Sequence, residues 1–203
     1  MKPWKLMLGM FLSGLGAAAL AAVVWVAPEW LAERALKSQK PAAAQAAVVT
    51  TEETPAATPS PEEVEAAQRA RFADLLAQND EVVGWVTVPG TNIDYPVLQT
   101  DNNQFYLRHD LDKQYNVRGL PFLDYECDAK NGRHLIIYGH NMGDDETDRF
   151  TNLQEYRDPD YYTSHPTIQL DTLYESQVYK IVAVFAVTAR TSDPDFFAYY
   201  IFI

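Results

Sequence analysis

The chain begins with its longest apolar segment. The first 28 residues contain no acidic residue, and Met7 to Ala27 are 21 uncharged, mostly apolar positions preceded by Lys2 and Lys5. At about 1.5 Å per residue, a helix of this length crosses a hydrocarbon core of about 30 Å. The pattern predicts an uncleaved membrane anchor over residues 1–28; the alternative is a cleaved signal peptide, whose apolar core usually has about 7–15 residues. The lysines favour a cytoplasmic N-terminus, which places the remaining chain outside the cell membrane.

The next segment has neither helical nor strand periodicity. A short helix could continue from Glu29 to Lys40, but residues 41–61, PAAAQAAVVTTEETPAATPSP, are rich in Ala, Thr and Pro. So few large apolar side chains cannot offset the entropy lost on ordering the backbone. Residues 29–60 are therefore predicted to be a flexible stalk that holds the folded part away from the membrane.

Helical periodicity is clear after residue 60. Ser60, Pro61 and Glu63 have the spacing of an N-cap, a first helical residue and the partner of a capping box. The apolar side chains that follow fall approximately on one face. They are Val64, Ala67, Phe72, Leu75 and Leu76. The pattern predicts an amphipathic helix over residues 61–78, which opens a folded domain of residues 61–203.

From Val82 onward the apolar positions follow a strand period, with turn signals between the runs. The runs are VVGWVTV, IDYPVLQ, GLPFLDY, HLIIYGH, TIQL and VYKIVAVFAVT. They predict a mainly β domain, either a barrel or a sandwich. Between the fourth and fifth runs, Phe150, Leu153 and Tyr156 have helical spacing, which predicts one short inserted helix.

Composition narrows the class of protein. With 203 residues, of which 47% are hydrophobic, the chain can bury one substantial core. Without Lys2 and Lys5, the predicted exported part has 14 basic residues (16 less 2) against 28 acidic ones, a net charge of −14. This charge argues against nucleic acid as a partner. Cys127 is the only cysteine, so no intramolecular disulfide forms and stability must come from packing.

His140 is the strongest candidate for chemistry from the residues alone. It ends the run HLIIYGH, in which Tyr138 shares its face and Ile137 points to the other side. Both faces are apolar, so the strand is expected to be central. A turn after Gly139 would present the imidazole at the mouth of the sheet, where a near-neutral pKa suits proton transfer. The competing interpretation is a structural histidine with satisfied hydrogen bonds.

The sequence offers little support for a metal or a cofactor. His109, His134 and His165 lie in polar or turn-like surroundings without zinc-ligand spacing, and we interpret them as surface or capping residues. Residues 143–148, GDDETD, lack the alternating oxygen ligands of a calcium loop, and the acidic first turn of a helix explains them better. We therefore expect no metal and no cofactor.

Cys127 is the only thiol available as a nucleophile. A free thiol has a pKa of about 8.5, which a neighbouring cation must lower for catalysis. Glu126 and Asp128 flank Cys127, and their negative charge would raise the pKa instead. The sequence therefore favours an inert loop cysteine.

Several stretches together resemble the class B sortases, the membrane-anchored cysteine transpeptidases of Gram-positive bacteria. The resemblance runs from about Glu81 to about Thr188, and the combination of IDYPVLQ with YGHNM is its most specific part. The other matching stretches are VVGWVTVPGTNIDYPVLQTDNNQFYLRHD, GLPFLDYECD, HLIIYGHNM, YRDPDYYTSHPTIQLDTLY and VYKIVAVFAVT. The N-terminal anchor, stalk and leading helix also fit the layout of that family.

The resemblance implies a sortase-type β-barrel with added N-terminal helices and a cysteine that attacks the Thr carbonyl of an Asn-Pro-Xaa-Thr-type sorting signal. A thioester forms, and an amine of the peptidoglycan cross-bridge then resolves it, which anchors a surface protein to the cell wall. In that scheme the histidine of YGHNM, here His140, is the acid/base. Asn103 and Leu107, in NQFYL, fall near positions that line the substrate groove of the family.

The chain also departs from the family pattern. The family nucleophile lies in a Thr-Leu-Xaa-Thr-Cys segment well after the histidine, followed by an arginine on the next strand; neither Cys127 nor Arg190 matches these positions. Residues 197–203, FAYYIFI, carry no charge and have nothing after them to cover them. We therefore expect a C-terminally truncated and inactive sortase whose barrel lacks its last strands.

Two alternative functions remain. The first is a non-catalytic surface module that binds peptides or partner proteins through the sortase groove. The second is metal-dependent hydrolysis, for which the sequence offers no ligand set. A downstream reading frame that encodes the threonine-cysteine strand and the arginine would favour a damaged enzyme over the binding module.

Overall fold

The computed structural model describes residues 29–42, 59–143 and 147–186. Its α-helices are α1 (Glu29–Ser38), α2 (Pro61–Arg71), α3 (Ala73–Gln78) and α4 (Pro159–Ser164). Its strands are β1 (Val82–Thr87), β2 (Asp94–Leu98), β3 (Phe122–Leu123), β4 (Ile137–Tyr138), β5 (Thr167–Thr172) and β6 (Ser176–Lys180). Two 3₁₀ helices cover Phe105–Leu107 and Thr151–Arg157.

The strands form one sheet with the order β4-β3-β2-β1-β5-β6. The neighbouring strands are antiparallel except for β2 and β3, which are parallel. The sheet curls into a half-barrel, and a few helices lie around it. The prediction of a mainly β domain is therefore confirmed.

The two faces of the sheet bury separate groups of side chains. Neighbouring residues of a strand point to opposite faces, and accordingly Trp85 packs with Phe72 and Leu75 of the leading helices, whereas Val86 packs with Tyr95 and the residues of the other face. Burying a side chain of this size contributes about 1.5–3 kcal/mol. The alternation seen in the sequence of β1 thus corresponds to two apolar layers.

The N-terminal part of the predicted stalk is folded. Leu36 of α1 packs against both apolar layers, Lys37 Nζ donates to the Asn92 carbonyl at 2.9 Å, and Lys40 Nζ lies 2.7 Å from Asp94 Oδ1. The prediction of a flexible stalk over residues 29–60 is therefore wrong for residues 29–42. The composition gave no sign of this docking because it depends on one leucine and a few charged side chains.

Two other predictions for the N-terminal region concern residues that the structure does not describe. These residues are 43–58 of the predicted stalk and 1–28, the predicted membrane anchor. In the described ranges, every helix is too short or too polar to cross a bilayer.

The leading helix has the predicted cap but is broken. Ser60 Oγ accepts from the Glu63 backbone N–H at 3.2 Å, and Glu63 Oε2 accepts from the Ser60 N–H at 2.7 Å, which is the expected capping box. The predicted helix over residues 61–78 is interrupted at Phe72, which lies between α2 and α3 and is fully buried. The spacing of apolar residues shows which side of a helix is buried. It does not reveal a break such as the one at Phe72, after which the apolar side chains still lie on the same side.

β4 lies at the edge of the described sheet. It pairs with β3 alone, through Phe122↔Tyr138 and Leu123↔Ile137. Among the described residues β4 therefore has one paired neighbour and not the two expected of a central strand, because two apolar faces carry no information about the number of paired neighbours.

The inserted helical segment is longer than predicted and has two parts. The 3₁₀ helix over Thr151–Arg157 is followed by α4. The side chain of Asp158 accepts from the Asp160 N–H at 2.9 Å and caps α4. The predicted single helix is thus replaced by two short ones, joined at a capping aspartate.

Candidate active site

His140 lies just beyond β4, where the chain leaves the sheet. Its ring Nε2 is 2.9 Å from the carbonyl oxygen of Leu107. A carbonyl can only accept, so Nε2 carries a proton in this contact. Arg108 Nη1 lies 3.5 Å from the same Nε2 and is therefore a neighbouring charge rather than a donor to it. This arrangement fixes the orientation of the half-buried imidazole.

The glycine before the histidine has a packing role. A Cβ built on Gly139 would lie 2.6 Å from Cδ2 of the Phe150 ring, which real side chains do not tolerate. The Phe150 N–H in turn donates to the His140 carbonyl at 2.9 Å. Phe150 thus fixes the backbone on both sides of the peptide bond between Gly139 and His140.

The Leu107 carbonyl is also held in place. Leu107 ends the 3₁₀ helix Phe105–Leu107, and Gly119, with φ +54°, packs so closely against it that a Cβ would lie 2.7 Å from the Leu107 carbonyl. The Leu120 N–H donates to the Tyr106 carbonyl at 2.9 Å. The structure therefore brings Leu107 and His140 together, but through the backbone of Leu107.

Asn103 belongs to a neighbouring hydrogen-bond network. Its Nδ2 donates to Asp124 Oδ2 at 2.8 Å, and its Oδ1 accepts from the Tyr125 N–H at 3.0 Å. The Tyr138 hydroxyl of β4 donates to the same Asp124 oxygen at 2.7 Å. Asn103 is therefore linked through Asp124 and Tyr138 to β4, the strand that precedes His140, and its amide already has protein partners.

Asp124 is the centre of this network, and sequence reasoning missed it. It is 2% exposed. Burial raises the pKa of its carboxyl, but hydrogen bonds from the Glu126 N–H, Tyr138 and Asn103 outweigh burial and hold the pKa below its ordinary value. The available sequence signal was an acidic residue directly after an apolar strand, in FLDY.

Cys127 lies in the apolar layer that contains Val86. It is 8% exposed, and its Sγ accepts from the Ile136 N–H at 3.4 Å and lies 3.5 Å from the His134 carbonyl oxygen. Burial raises the pKa of the thiol, and the charges of Asp124 and Glu126 raise it further. The raised pKa of Cys127 agrees with the direction expected from its acidic neighbours in the sequence.

The structure does not join Cys127 to His140. The sulfur of Cys127 contacts the backbone of residues 134 and 136, just before β4. His140 follows the other end of β4, and its imidazole contacts the Leu107 carbonyl. The contacts of the chain's single cysteine and those of His140 therefore lie at opposite ends of β4.

An apolar cavity of about 480 Å³ lies on the sheet face opposite Tyr138. Its lining includes Val86, Ile137, Phe150, Leu153 and Ile168, but none of the three predicted functional residues. Within the described ranges, which omit residues 144–146 of the acidic segment, no three or more His, Cys, Asp or Glu side chains cluster as metal ligands. What the site can supply chemically is thus one oriented imidazole and an apolar surface.

Comparison with known proteins places this arrangement. No family model matches the chain. The chain is 32% identical to sortase B of Staphylococcus aureus over 123 residues, which are 60% of this chain and 50% of that protein. It is 37% identical to sortase B of Listeria monocytogenes over 129 residues, which are 62% of this chain and 49% of that protein. The chain thus spans about half the length of these curated relatives.

Solved structures give the same result. The chain is similar to the S. aureus sortase B–substrate complex with a TM-score of 0.56 and 30% identity, over 64% of this chain and 60% of that one. A sortase-B-like protein of Bacillus anthracis matches with a TM-score of 0.53 and 30% identity, over 62% of both chains. The fold is thus sortase-like. Together with the curated relatives, these matches support a class B sortase, which confirms the resemblance seen in the sequence.

Proposed function

We propose that the chain carries the acid/base part of a class B sortase, a cysteine transpeptidase that cleaves an Asn-Pro-Xaa-Thr-type sorting signal and attaches surface proteins to peptidoglycan. The supporting observation is the imidazole of His140, held by the Leu107 carbonyl in a chain that is homologous to sortase B. Similarity to a sortase B–substrate complex supports the binding of a sorting-signal peptide.

The proposed chemistry uses the ring nitrogen of His140 that is not directed at Leu107. Nδ1 accepts the proton of a nucleophilic thiol, and the thiolate attacks the Thr carbonyl of the signal. The resulting imidazolium protonates the leaving amine, and a thioester remains. A peptidoglycan cross-bridge amine then attacks the thioester and gives its proton back to the ring. A sortase B complexed with triglycine, 25% identical to this chain with a TM-score of 0.57, is consistent with an amine of this kind.

We further propose that Cys127 is not the thiol in this scheme. Its sulfur is buried in an apolar layer, its pKa is raised, and its contacts lie at the far end of β4 from His140. The 203 residues alone are therefore expected to bind a sorting peptide without forming a thioester. Membrane attachment through residues 1–28, with the folded part outside the cell, completes the proposal.

The test uses the full chain in detergent with an internally quenched Asn-Pro-Xaa-Thr peptide and triglycine. We expect peptide binding that weakens in Asn103→Ala, no fluorescence release, and no thioester mass on the protein. Turnover that Cys127→Ala abolishes would overturn the assignment of the thiol. The absence of peptide binding in every variant would overturn the sortase function itself.

A second candidate function is a non-catalytic module that binds peptides in the sortase groove. The observation in its favour is that Cys127, the single cysteine of the chain, is buried. No thiol of these 203 residues is therefore available to His140 as a nucleophile. Both candidates predict binding without turnover. Translation of the DNA downstream of the Ile203 codon in all frames separates them, because only a sortase gene encodes the threonine-cysteine strand and the arginine there.

A further inference from the structure

Arg149 is a buried cation beside the candidate active site. Its side chain is 3% exposed, and its backbone φ is +55°. A residue with a side chain keeps such a conformation only where its surroundings enforce it. The backbone N–H of Arg149 donates to the Tyr95 hydroxyl at 3.0 Å, and its guanidinium lies over the Tyr95 ring at 4.9 Å from the centroid.

The backbone around Arg149 supports the backbone of His140. Arg149 forms an isolated antiparallel bridge with Asn141, the residue after the histidine. The next residue, Phe150, donates its N–H to the His140 carbonyl at 2.9 Å and packs its ring on Gly139. Displacement of Arg149 would therefore move the peptide bonds on both sides of the histidine.

The side chain of Arg149 supports the acceptor of the His140 ring. Its Nε donates to the Gly119 carbonyl at 2.8 Å and lies 3.3 Å from the Arg118 carbonyl oxygen. Gly119 packs directly on the backbone of Leu107, whose oxygen holds His140 Nε2. One guanidinium thus links the two segments between which the imidazole hydrogen bond is made.

Glu33 of α1 neutralises this guanidinium. Its Oε2 lies 2.9 Å from Arg149 Nη1, across 116 positions of sequence, while Asp148 Oδ2 is more distant at 3.9 Å. Burial raises the pKa of the Glu33 carboxyl, but Tyr95, Arg149 and Lys37 outweigh it, so the carboxylate stays ionised. A buried cation that loses its counter-ion is strongly destabilised and moves towards solvent.

We propose that Arg149 is a positioning residue for His140 and that Glu33 is its counter-ion, so the docking of α1 controls the orientation of the imidazole. The functional value of this device rests on the proposed acid/base role of His140. The geometry itself can be measured without any catalytic activity.

The test follows the His140 Nε2–H proton by ¹⁵N-resolved NMR of the full chain in detergent. In the wild type this proton should give a protected signal, because it is bonded to the Leu107 carbonyl. In Glu33→Gln its solvent exchange should accelerate by about tenfold or more, as expected when the segment that holds one hydrogen bond is released. Unchanged exchange in a folded Glu33→Gln protein would overturn the proposal.

Two kinds of control are present in the chain. The rings of His109 and His165 are held through Nδ1, at 2.7 Å from the Phe105 carbonyl and 3.0 Å from the Tyr161 carbonyl. The His165 signal should not change in any variant, whereas His109 can respond because its acceptor Phe105 begins the 3₁₀ helix that ends at Leu107. Glu65→Gln removes a glutamate that pairs with Lys130 at 2.7 Å on the surface, and it should leave the His140 exchange rate unchanged.

A second pair of variants keeps the proposal testable if Glu33→Gln does not fold. Arg149→Lys keeps a positive charge for Glu33 but loses the guanidinium contacts with the Arg118 and Gly119 carbonyls. The double variant Glu33→Gln with Arg149→Met removes both buried charges. In both variants the solvent exchange of the His140 Nε2–H should accelerate, while the His165 signal should stay unchanged. If neither variant folds, Arg149 is a residue of global stability and the positioning role is wrong. If the wild-type protein binds no sorting peptide although its His140 Nε2–H is protected from exchange, the proposed function is contradicted and the positioning role of Arg149 is not.

Discussion

His140 and Cys127 lie on either side of the same short strand in opposite environments. The sulfur of Cys127 sits among apolar side chains before β4, with a raised pKa and two backbone contacts. The imidazole of His140 follows β4, half-buried, between a carbonyl and a guanidinium. The comparison shows that the two side chains have opposite surroundings: Cys127 is enclosed by apolar groups, whereas His140 contacts a carbonyl and a charged group.

The largest effect is expected from Asp124→Ala, since Asp124 joins the two regions. The substitution leaves the Tyr138 hydroxyl and the Asn103 amide without their acceptor, and it should lower the free energy of unfolding by about 2–4 kcal/mol. Chemical denaturation measures this loss. Asp101→Ala, at an exposed loop position, is the control and should change stability by no more than about 0.5 kcal/mol.

The same aspartate gives a pH dependence. Its carboxyl has a lowered pKa in the folded protein, so its stabilising contribution is present above the unfolded value of about 3.9 and is lost as the pH falls through the folded value. Asp124→Asn should therefore flatten the acid limb of a plot of stability against pH. An identical acid limb in the two proteins would show that Asp124 is not held by this network.

Gly139→Ala should have the next largest effect. The added Cβ meets the Phe150 ring at 2.6 Å, and such overpacking costs about 1–3 kcal/mol. Combining it with Phe150→Leu should recover part of that stability because the smaller side chain makes room. The melting temperatures of the single and double variants provide the measurement, and a double variant less stable than the sum of the two changes would exclude this packing explanation.

Cys127 should react slowly. Because its thiol is buried and its pKa raised, alkylation by iodoacetamide at neutral pH should be about tenfold slower than for a free cysteine, and it should accelerate as the pH rises. Alkylation of the unfolded chain is the control. A rate at neutral pH above that of the free thiol would identify an activated cysteine and remove the contrast with His140.

The smallest effect is expected for Leu107→Ala. The contact with His140 uses the backbone carbonyl, so truncation of the side chain should change the exchange rate of the His140 Nε2–H by no more than about twofold. NMR exchange in Leu107→Ala and the wild type provides the comparison. A large change would show that the leucine side chain, rather than its backbone, positions the ring.

Local patterns predicted much of the strand content but not the contacts between distant segments. The runs around Val82, Asp94 and Thr167 became β1, β2 and β5, and the capping box at Ser60 formed as expected. Each of these features depends on residues close together in the sequence. The edge position of β4 depends instead on which strands pair, about which side-chain alternation carries no information.

In the candidate site, too, local features could be predicted from the sequence and contacts between distant segments could not. The motif around His140 identified the imidazole, and the acidic neighbours of Cys127 indicated the direction of its pKa. The acceptor at Leu107, and the pairing of Glu33 with Arg149 over 116 positions, lie outside any local pattern. The Leu107 acceptor was missed because it is a backbone carbonyl, which every residue has. The ion pair was missed because a charged side chain in the sequence looks the same whether it is solvated or buried against a partner.

The amino-acid sequence by itself determined the alternating apolar layers, the helix cap and the position of one histidine after an apolar run, because these follow from the periods of the backbone and from neighbouring side chains. The tertiary structure alone decided that α1 docks on the domain, that the sulfur is buried and that the imidazole is held between two loops. Those outcomes require distant segments to meet, and the free energy of such contacts depends on burial and pairing that exist only in the folded chain.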